Sequence, residues 1–242
     1  CTALTKVRLS SQLVKIGSSA FNGCYNLREV TPFLPDTLTT LDGYAFYNCY
    51  RIPQPLRYGF GLTPAGDPLP IGVGAQVFMQ CKAIPSVEIG PGVTSIGNDS
   101  FQTCVGLKTV SLPTNLVTIG SGVFNGCTAL ERVTPFLPAT VVSLGSHSFY
   151  NCKLLEGELK IGQGGKFVAG DSANGMFGGS LITSADVENM AKIPQGFFKS
   201  MSKLAHVTID DATTVFANDV FQSDSALTEI VLPANLTSIG GN

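Results

Sequence analysis

This chain has no tryptophan and only two histidines. His147 and His206 stand apart from any Cys-x-x-Cys or His-x-x-x-His pair, so neither falls in a metal-ligand spacing. Charge is scarce too. Charged residues make up 13% of the 242, against a usual quarter or so. The net charge of −2 leaves no basic footprint for nucleic acid or an anionic membrane. No apolar run approaches the length that spans a bilayer. No signal peptide opens the chain. It starts at Cys1 within a repeat and stops at Asn242 within another, so both ends read as cuts, with targeting signals and caps expected outside them. What the chain does have is apolar residues (44%), 27 glycines and 14 prolines, a composition that buries well and turns often.

Those residues recur. Ala20-Phe21-Asn22-Gly23-Cys24 returns as Ala45-Phe46-Tyr47-Asn48-Cys49, Val123-Phe124-Asn125-Gly126-Cys127 and Ser148-Phe149-Tyr150-Asn151-Cys152. The cysteines stand at 1, 24, 49, 81, 104, 127 and 152, and the slot then passes to Ser180, Met201 and Asp224. The repeats number about ten, of 21–32 residues, and predict a single solenoid over 1–242. Irregular repeats fall at 49–81 and 152–180.

Each unit offers two extended pieces. The Val7-Arg8-Leu9 type alternates and often ends on proline, as in Val110-Ser111-Leu112-Pro113, which predicts a strand. The second is the Leu116-Val117-Thr118-Ile119-Gly120 type. The glycine after isoleucine is read as a turn position of positive φ. The stretch from Ser121 to Cys127 is too short for a real helix and reads as a turn or a short helical turn. Such a unit has one apolar side and nothing to cover it. Coils must therefore stack, about 4.8 Å apart, with Leu on Leu, Phe on Phe and Cys on Cys.

A longer period overlies the short one. Residues 1–49 resemble 104–152 at an offset of 103, and Val30-Thr31-Pro32-Phe33-Leu34-Pro35 returns as Val133-Thr134-Pro135-Phe136-Leu137-Pro138. The reading is a duplicated block of four repeats. It sets the two irregular turns roughly 20 Å apart on one side.

The pattern Cys-x-x-Leu-x-x-Val-x-Leu-Pro-x-x-Leu-x-x-Ile-Gly-x-x-Ala-Phe-x-x-Cys resembles the BspA-like leucine-rich repeat family over nearly the whole chain, weakening at 50–75, 153–180 and 181–200. The resemblance implies a right-handed solenoid arc, mainly β, with a parallel sheet of Val-x-Leu strands on the concave side. It also implies a surface or secreted protein of a host-associated microbe, and adhesion to proteins or cells. The family shares no active site, so no catalytic residue is carried over.

The residues agree that no chemistry is present. Seven cysteines are an odd set, one coil apart, in a slot that also takes Met201. They read as free thiols packing as small hydrophobes, with Cys1 exposed. A column of sulfurs does not converge as zinc ligands must. Gly162-Gln163-Gly164-Gly165-Lys166 fails as a phosphate loop, with Lys160 where a glycine is needed and Phe167 where Ser or Thr is. Gly59-Phe60-Gly61 lacks a third glycine, Pro64 standing there. Asp210-Asp211 reads as a solvated turn. Asn98-Asp99-Ser100 and Asn235-Leu236-Thr237 fit the N-glycosylation pattern, which matters only in a eukaryotic secretory pathway. No cofactor or metal site and no enzyme can be read.

Two surfaces carry the functional expectation. The first is the outward column of the Val-x-Leu strands: Lys6, Arg8, Glu29, Thr31, Glu88, Thr109, Ser111, Arg132, Thr134, His206, Thr208 and Glu229. Any solenoid has such a solvated face, and a mixed-charge one suits a protein partner. The second is the insertion Arg57-Tyr58-Gly59-Phe60-Gly61-Leu62-Thr63-Pro64. Its aromatic rings are expected either to anchor a partner or sugar, or to fold back over the irregular coil. The function read from this is a non-enzymatic cell-surface or extracellular recognition module for a protein partner. Glycan binding through the irregular repeats and a plain structural spacer stay open.

Overall fold

A computed structural model describes residues 1–165, 167–169 and 175–241. Among these the chain forms a parallel β-solenoid of about ten turns, with short strands and no helix. The stretches from Ser121 to Cys127 and its counterparts are turns.

Two faces of strands run along the coils. The Val-x-Leu pieces build the first face in three ladders. These are Lys6–Arg8 with Glu29–Thr31; then Leu56–Tyr58, Ser86–Ile89, Thr109–Ser111 and Arg132–Thr134; then Glu158–Ile161, Ser184–Val187 and His206–Ile209. The Leu-x-x-Ile pieces build the second face, also in three ladders, beginning at Lys15–Ile16, Ser95–Ile96 and Lys192–Ile193. Register is in phase with the repeat: Val7 lies opposite Val30, Val87 opposite Val110, Val110 opposite Val133, and Ile96 opposite Ile119. In-phase pairing forces like side chains to stack, since a shift by one residue would turn every valine outward.

The buried side chains form one cluster from Ile16 to Val220. Its spine is a column of phenylalanines. Phe21, Phe46, Phe78, Phe101, Phe124, Phe149 and Phe177 stack in turn, with ring centroids 5.0–5.6 Å apart and planes within 25° of parallel. The column then jogs, because Phe197 inserts edge-on between Phe177 and Phe198.

The turn edge adds a third set of bonds between coils. In the first coil the amides of Ser19, Phe21 and Gly23 donate to the carbonyls of Gly43, Ala45 and Tyr47 in the next. The same triple recurs at Tyr44, Phe46 and Asn48, and at Asp99, Phe101 and Thr103. Aiming alternate amides the same way needs residues of positive φ, and these come four apart in each coil: Tyr44 and Asn48, Gln76 and Gln80, Gly122 and Gly126.

The glycine after isoleucine is therefore not the positive-φ position expected of it. Gly74, Gly97, Gly120 and Gly145 are absent from the left-handed region. They are glycines because coils approach most closely there. A Cβ on Gly97 would lie 2.5 Å from the Gly74 carbonyl oxygen, and one on Gly145 would lie 2.2 Å from the Ser121 nitrogen. Gly17, in the first coil, has nothing within 4 Å.

Cys24, Cys49, Cys81, Cys104, Cys127 and Cys152 are free and buried, and Cys1 is free and exposed. From Cys49 onward each thiol donates to the phenylalanine carbonyl of the coil before it, as Cys104 does to Phe78 at 3.1 Å. Burial pushes the Cys49 and Cys104 thiols up to about 12. The reactive species is the thiolate, so these groups are inert. In the native chain a thiol reagent is expected to label Cys1 alone. After denaturation without reductant it should label all seven cysteines, and a shortfall by mass spectrometry would show a disulfide instead.

Candidate interaction surface at the ladder breaks

The first face is interrupted twice, after Thr31 and after Thr134. Both interruptions follow the same logic. Proline comes next at Pro32 and Pro135, each after a cis peptide bond, and proline has no N–H to extend a ladder. The irregular coil then begins. These breaks are where the outward column changes from a plain strand face into something shaped.

At the first break a side chain fills the gap. Gln54 accepts the Val30 N–H through Oε1 at 2.9 Å and returns a bond from Nε2 to the Val30 carbonyl at 3.2 Å. Its amide takes the place of the missing strand's peptide. The residue at the same offset in the second block is Gly157, which has no side chain to do so and nothing within 4 Å of where a Cβ would stand. Beside it lies a cavity of about 490 Å³, lined by Thr109, Glu131, Arg132, Leu154, Glu156 and Leu181.

The outward column of the expectation is largely where it was placed, though several members neutralise one another. Lys6 and Glu29 meet at 2.7 Å. The hydrogen bond from Lys6 holds the Glu29 carboxyl below its usual range. Arg57 lies between Asp36, at 3.4 Å, and Glu88, at 3.8 Å. Thr208 bonds to Asp186. Arg8, Arg132 and His206 are exposed on their strands. Among the described residues Arg132 has no ion pair. Glu229 is exposed but belongs to no strand, so it does not extend the column.

In the insertion the rings fold back against the irregular coil, one of the two arrangements expected of them. Leu56–Tyr58 is a strand paired to Ser86–Ile89, with Tyr58 opposite Ile89. Tyr58 thereby takes the leucine slot of the repeat and is 1% exposed, its hydroxyl without a partner. It cannot stack on a ligand. Phe60 is half-buried beneath the Arg57 guanidinium, 3.7 Å from its ring centroid. The period-two rule assigns both Arg57 and Tyr58 correctly once Leu56 is aligned to the valine slot. The change in repeat length hides that alignment.

The glycine-rich segments are close approaches, not ligand loops. A Cβ on Gly162 would strike the Glu188 carbonyl and one on Gly164 the Ala139 carbonyl, both at 1.7 Å. Lys166 of that segment lies outside the described residues. The cavity residues Glu131, Leu154, Glu156 and Leu181 were not singled out from sequence. The usable signal was the exchange of Gln54 for Gly157.

The BspA type leucine rich repeat region matches six copies over residues 1–55, 71–168 and 137–242. The chain belongs to the BspA-type leucine-rich repeat family. Among curated proteins none matches. Two solved structures share the fold. A leucine-rich repeat protein from Bacteroides ovatus is 20% identical, with a TM-score of 0.57, over 99% of this chain and 76% of that one. The T. pallidum leucine-rich repeat protein is 17% identical, with a TM-score of 0.58, over 78% of this chain and 83% of that one. Leucine-rich repeat proteins of this kind are in general non-enzymatic scaffolds for protein interaction. In this BspA-type chain no group of His, Cys, Asp and Glu among the described residues is arranged to hold a metal ion. Among the described residues no helix is long and apolar enough to cross a membrane.

Proposed function

We propose that this chain is a non-enzymatic recognition module, displayed at a cell surface or secreted, that binds a protein partner through the outward side of its first face. The observation that carries the reading is the cleft at the second break. It is a concavity of about 490 Å³ on the first face. It offers Arg132, which has no ion pair among the described residues, two carboxylates in Glu131 and Glu156, and exposed Leu154 and Leu181. A guanidinium beside exposed aliphatic side chains is the composition of a protein-binding centre. The family assignment supports protein binding, and surface display follows the same resemblance. Adhesion to host proteins is the use we favour.

The test is binding of the immobilised chain to a panel of extracellular matrix and serum proteins. At least one is expected to bind, with Arg132→Glu lowering affinity about tenfold or more, as truncating a central arginine contact does. Arg8→Glu, remote from the cleft, should weaken it less. The reading fails if the panel yields no partner, or if the Arg132 variant binds as tightly as the parent.

A further inference from the structure

The duplicated block contains a comparison of its own. The same scaffold positions that line the cleft in the second block carry different chemistry in the first. Glu131, Leu154 and Leu181 correspond to Arg28, Arg51 and Lys82. Three lining positions, one acidic and two aliphatic, thus become cations, while Thr109, Arg132 and Glu156 correspond to Lys6, Glu29 and Pro53. All three are exposed, and none makes an ion pair among the described residues. The acids of that region are engaged elsewhere: Glu29 with Lys6, Asp42 with Lys15, Asp36 with Arg57. Residues 1–82 hold seven Lys and Arg against four Asp and Glu, whereas residues 83–242 hold eight against thirteen. The positive character is local to the first block.

Tyrosines are concentrated at the same place. Tyr25 and Tyr50 stack with centroids 5.2 Å apart and planes 10° from parallel. Lys82 covers the Tyr50 ring at 4.8 Å. Tyr44 packs edge-on to Tyr47 at 5.8 Å. Burial first, then the neighbouring Tyr25 and Tyr47 hydroxyls, raises the Tyr50 phenol above its usual range. Tyr25 and Tyr44 are each 41% exposed. The fold does not require Tyr25, Tyr44 or Tyr50. The second block stacks equally well with Thr128 in place of Tyr25, His147 in place of Tyr44 and Lys153 in place of Tyr50.

We propose that this tyrosine and cation surface of the first block binds an anionic polysaccharide. Tyr25 and Tyr44, exposed and held in place by their ring neighbours Tyr50 and Tyr47, offer apolar surface to the CH faces of sugar rings and lose little entropy on binding. Arg28, Arg51 and Lys82 then meet carboxylate or sulfate groups repeated along the polymer. An acidic peptide would want pockets for its side chains. The aliphatic lining that makes a pocket in the second block is gone here.

The experiment measures affinity for polygalacturonate and heparin, with dextran as a neutral polymer and poly-L-glutamate as an acidic peptide, at near-physiological salt. At least one anionic polysaccharide should bind, dextran should not, and poly-L-glutamate should bind about tenfold more weakly. Tyr25→Thr with Tyr50→Thr keeps net charge, uses a residue the scaffold holds at Thr128, and should cost about tenfold. Arg51→Glu with Lys82→Glu should abolish binding, and Lys203→Gln, which removes an exposed cation outside the first block, should leave it intact. Circular dichroism checks each fold. The proposal is overturned if neither polysaccharide binds, if the tyrosine variant binds undiminished, or if poly-L-glutamate binds equally well.

Discussion

Gly145→Ala is expected to lower the melting temperature on the order of 10 °C, while Gly17→Ala leaves it unchanged. The two glycines occupy the same slot of the repeat. Neither uses the conformational freedom of glycine, because neither lies at positive φ. The difference is what lies beneath. A methyl group on Gly145 would sit 2.2 Å from the backbone nitrogen of Ser121, whereas one on Gly17 meets nothing within 4 Å. The neighbour at Gly145 is main chain and cannot swing aside, so the two coils must part. Overpacking of this kind costs about 3 kcal/mol. Parting them also loosens the Phe124–Phe149 stack above and the bond from Gly145 N–H to Ile119. Thermal unfolding of both variants by circular dichroism makes the comparison. Equal melting temperatures would show that the spacing of the coils is not set there.

The column of phenylalanine and cysteine, the two strand types and their in-phase register follow from the period alone, since a unit with one apolar side can bury it only against a copy of itself. Other features were out of reach. The positive-φ pairs at Gln76 and Gln80, or Tyr44 and Asn48, have no fixed residue type, because hydrogen bonds from the next coil impose the conformation. Whether Tyr58 stands out or folds back stays open in the sequence because the irregular repeat loses phase with its neighbours. The cleft at Arg132 depends on a gap, and a gap is visible only against the partner that fills it in the other block, Gln54.

Asp224 should make the last coils more stable at pH 5 than at pH 8. It occupies the cysteine slot and is 8% exposed. One oxygen accepts the Met201 N–H at 2.8 Å, and the other has no partner. Burial therefore raises its carboxyl to about 7. The folded chain holds this proton more tightly than the unfolded chain does. Below the ordinary carboxylate range both states are protonated and the folded state keeps the full contribution of the group. As pH rises the unfolded carboxyl ionises first, and stability falls until the folded one ionises near 7. Across the whole window the loss is about 4 kcal/mol. Asp224→Cys restores the residue of the earlier coils and removes this window. Its gain in melting temperature over the parent should be larger at pH 8 than at pH 5. A gain that is the same at both would mean that Asp224 does not titrate in the core.

The turn-edge triples give the solenoid a direction. Most coils hand three amides forward and offer three carbonyls back, and among the described residues the bonds of this edge keep one sense. A coil added by duplication docks only if it arrives whole and in the same orientation, like a link in a chain with a hook and an eye. A half coil would leave donors facing donors. Growth is thereby restricted to integral numbers of coils, and a block of four can be copied without either junction having to be rebuilt. The two copies are then free to diverge in what they expose, one toward a cleft and the other toward a charged aromatic plate.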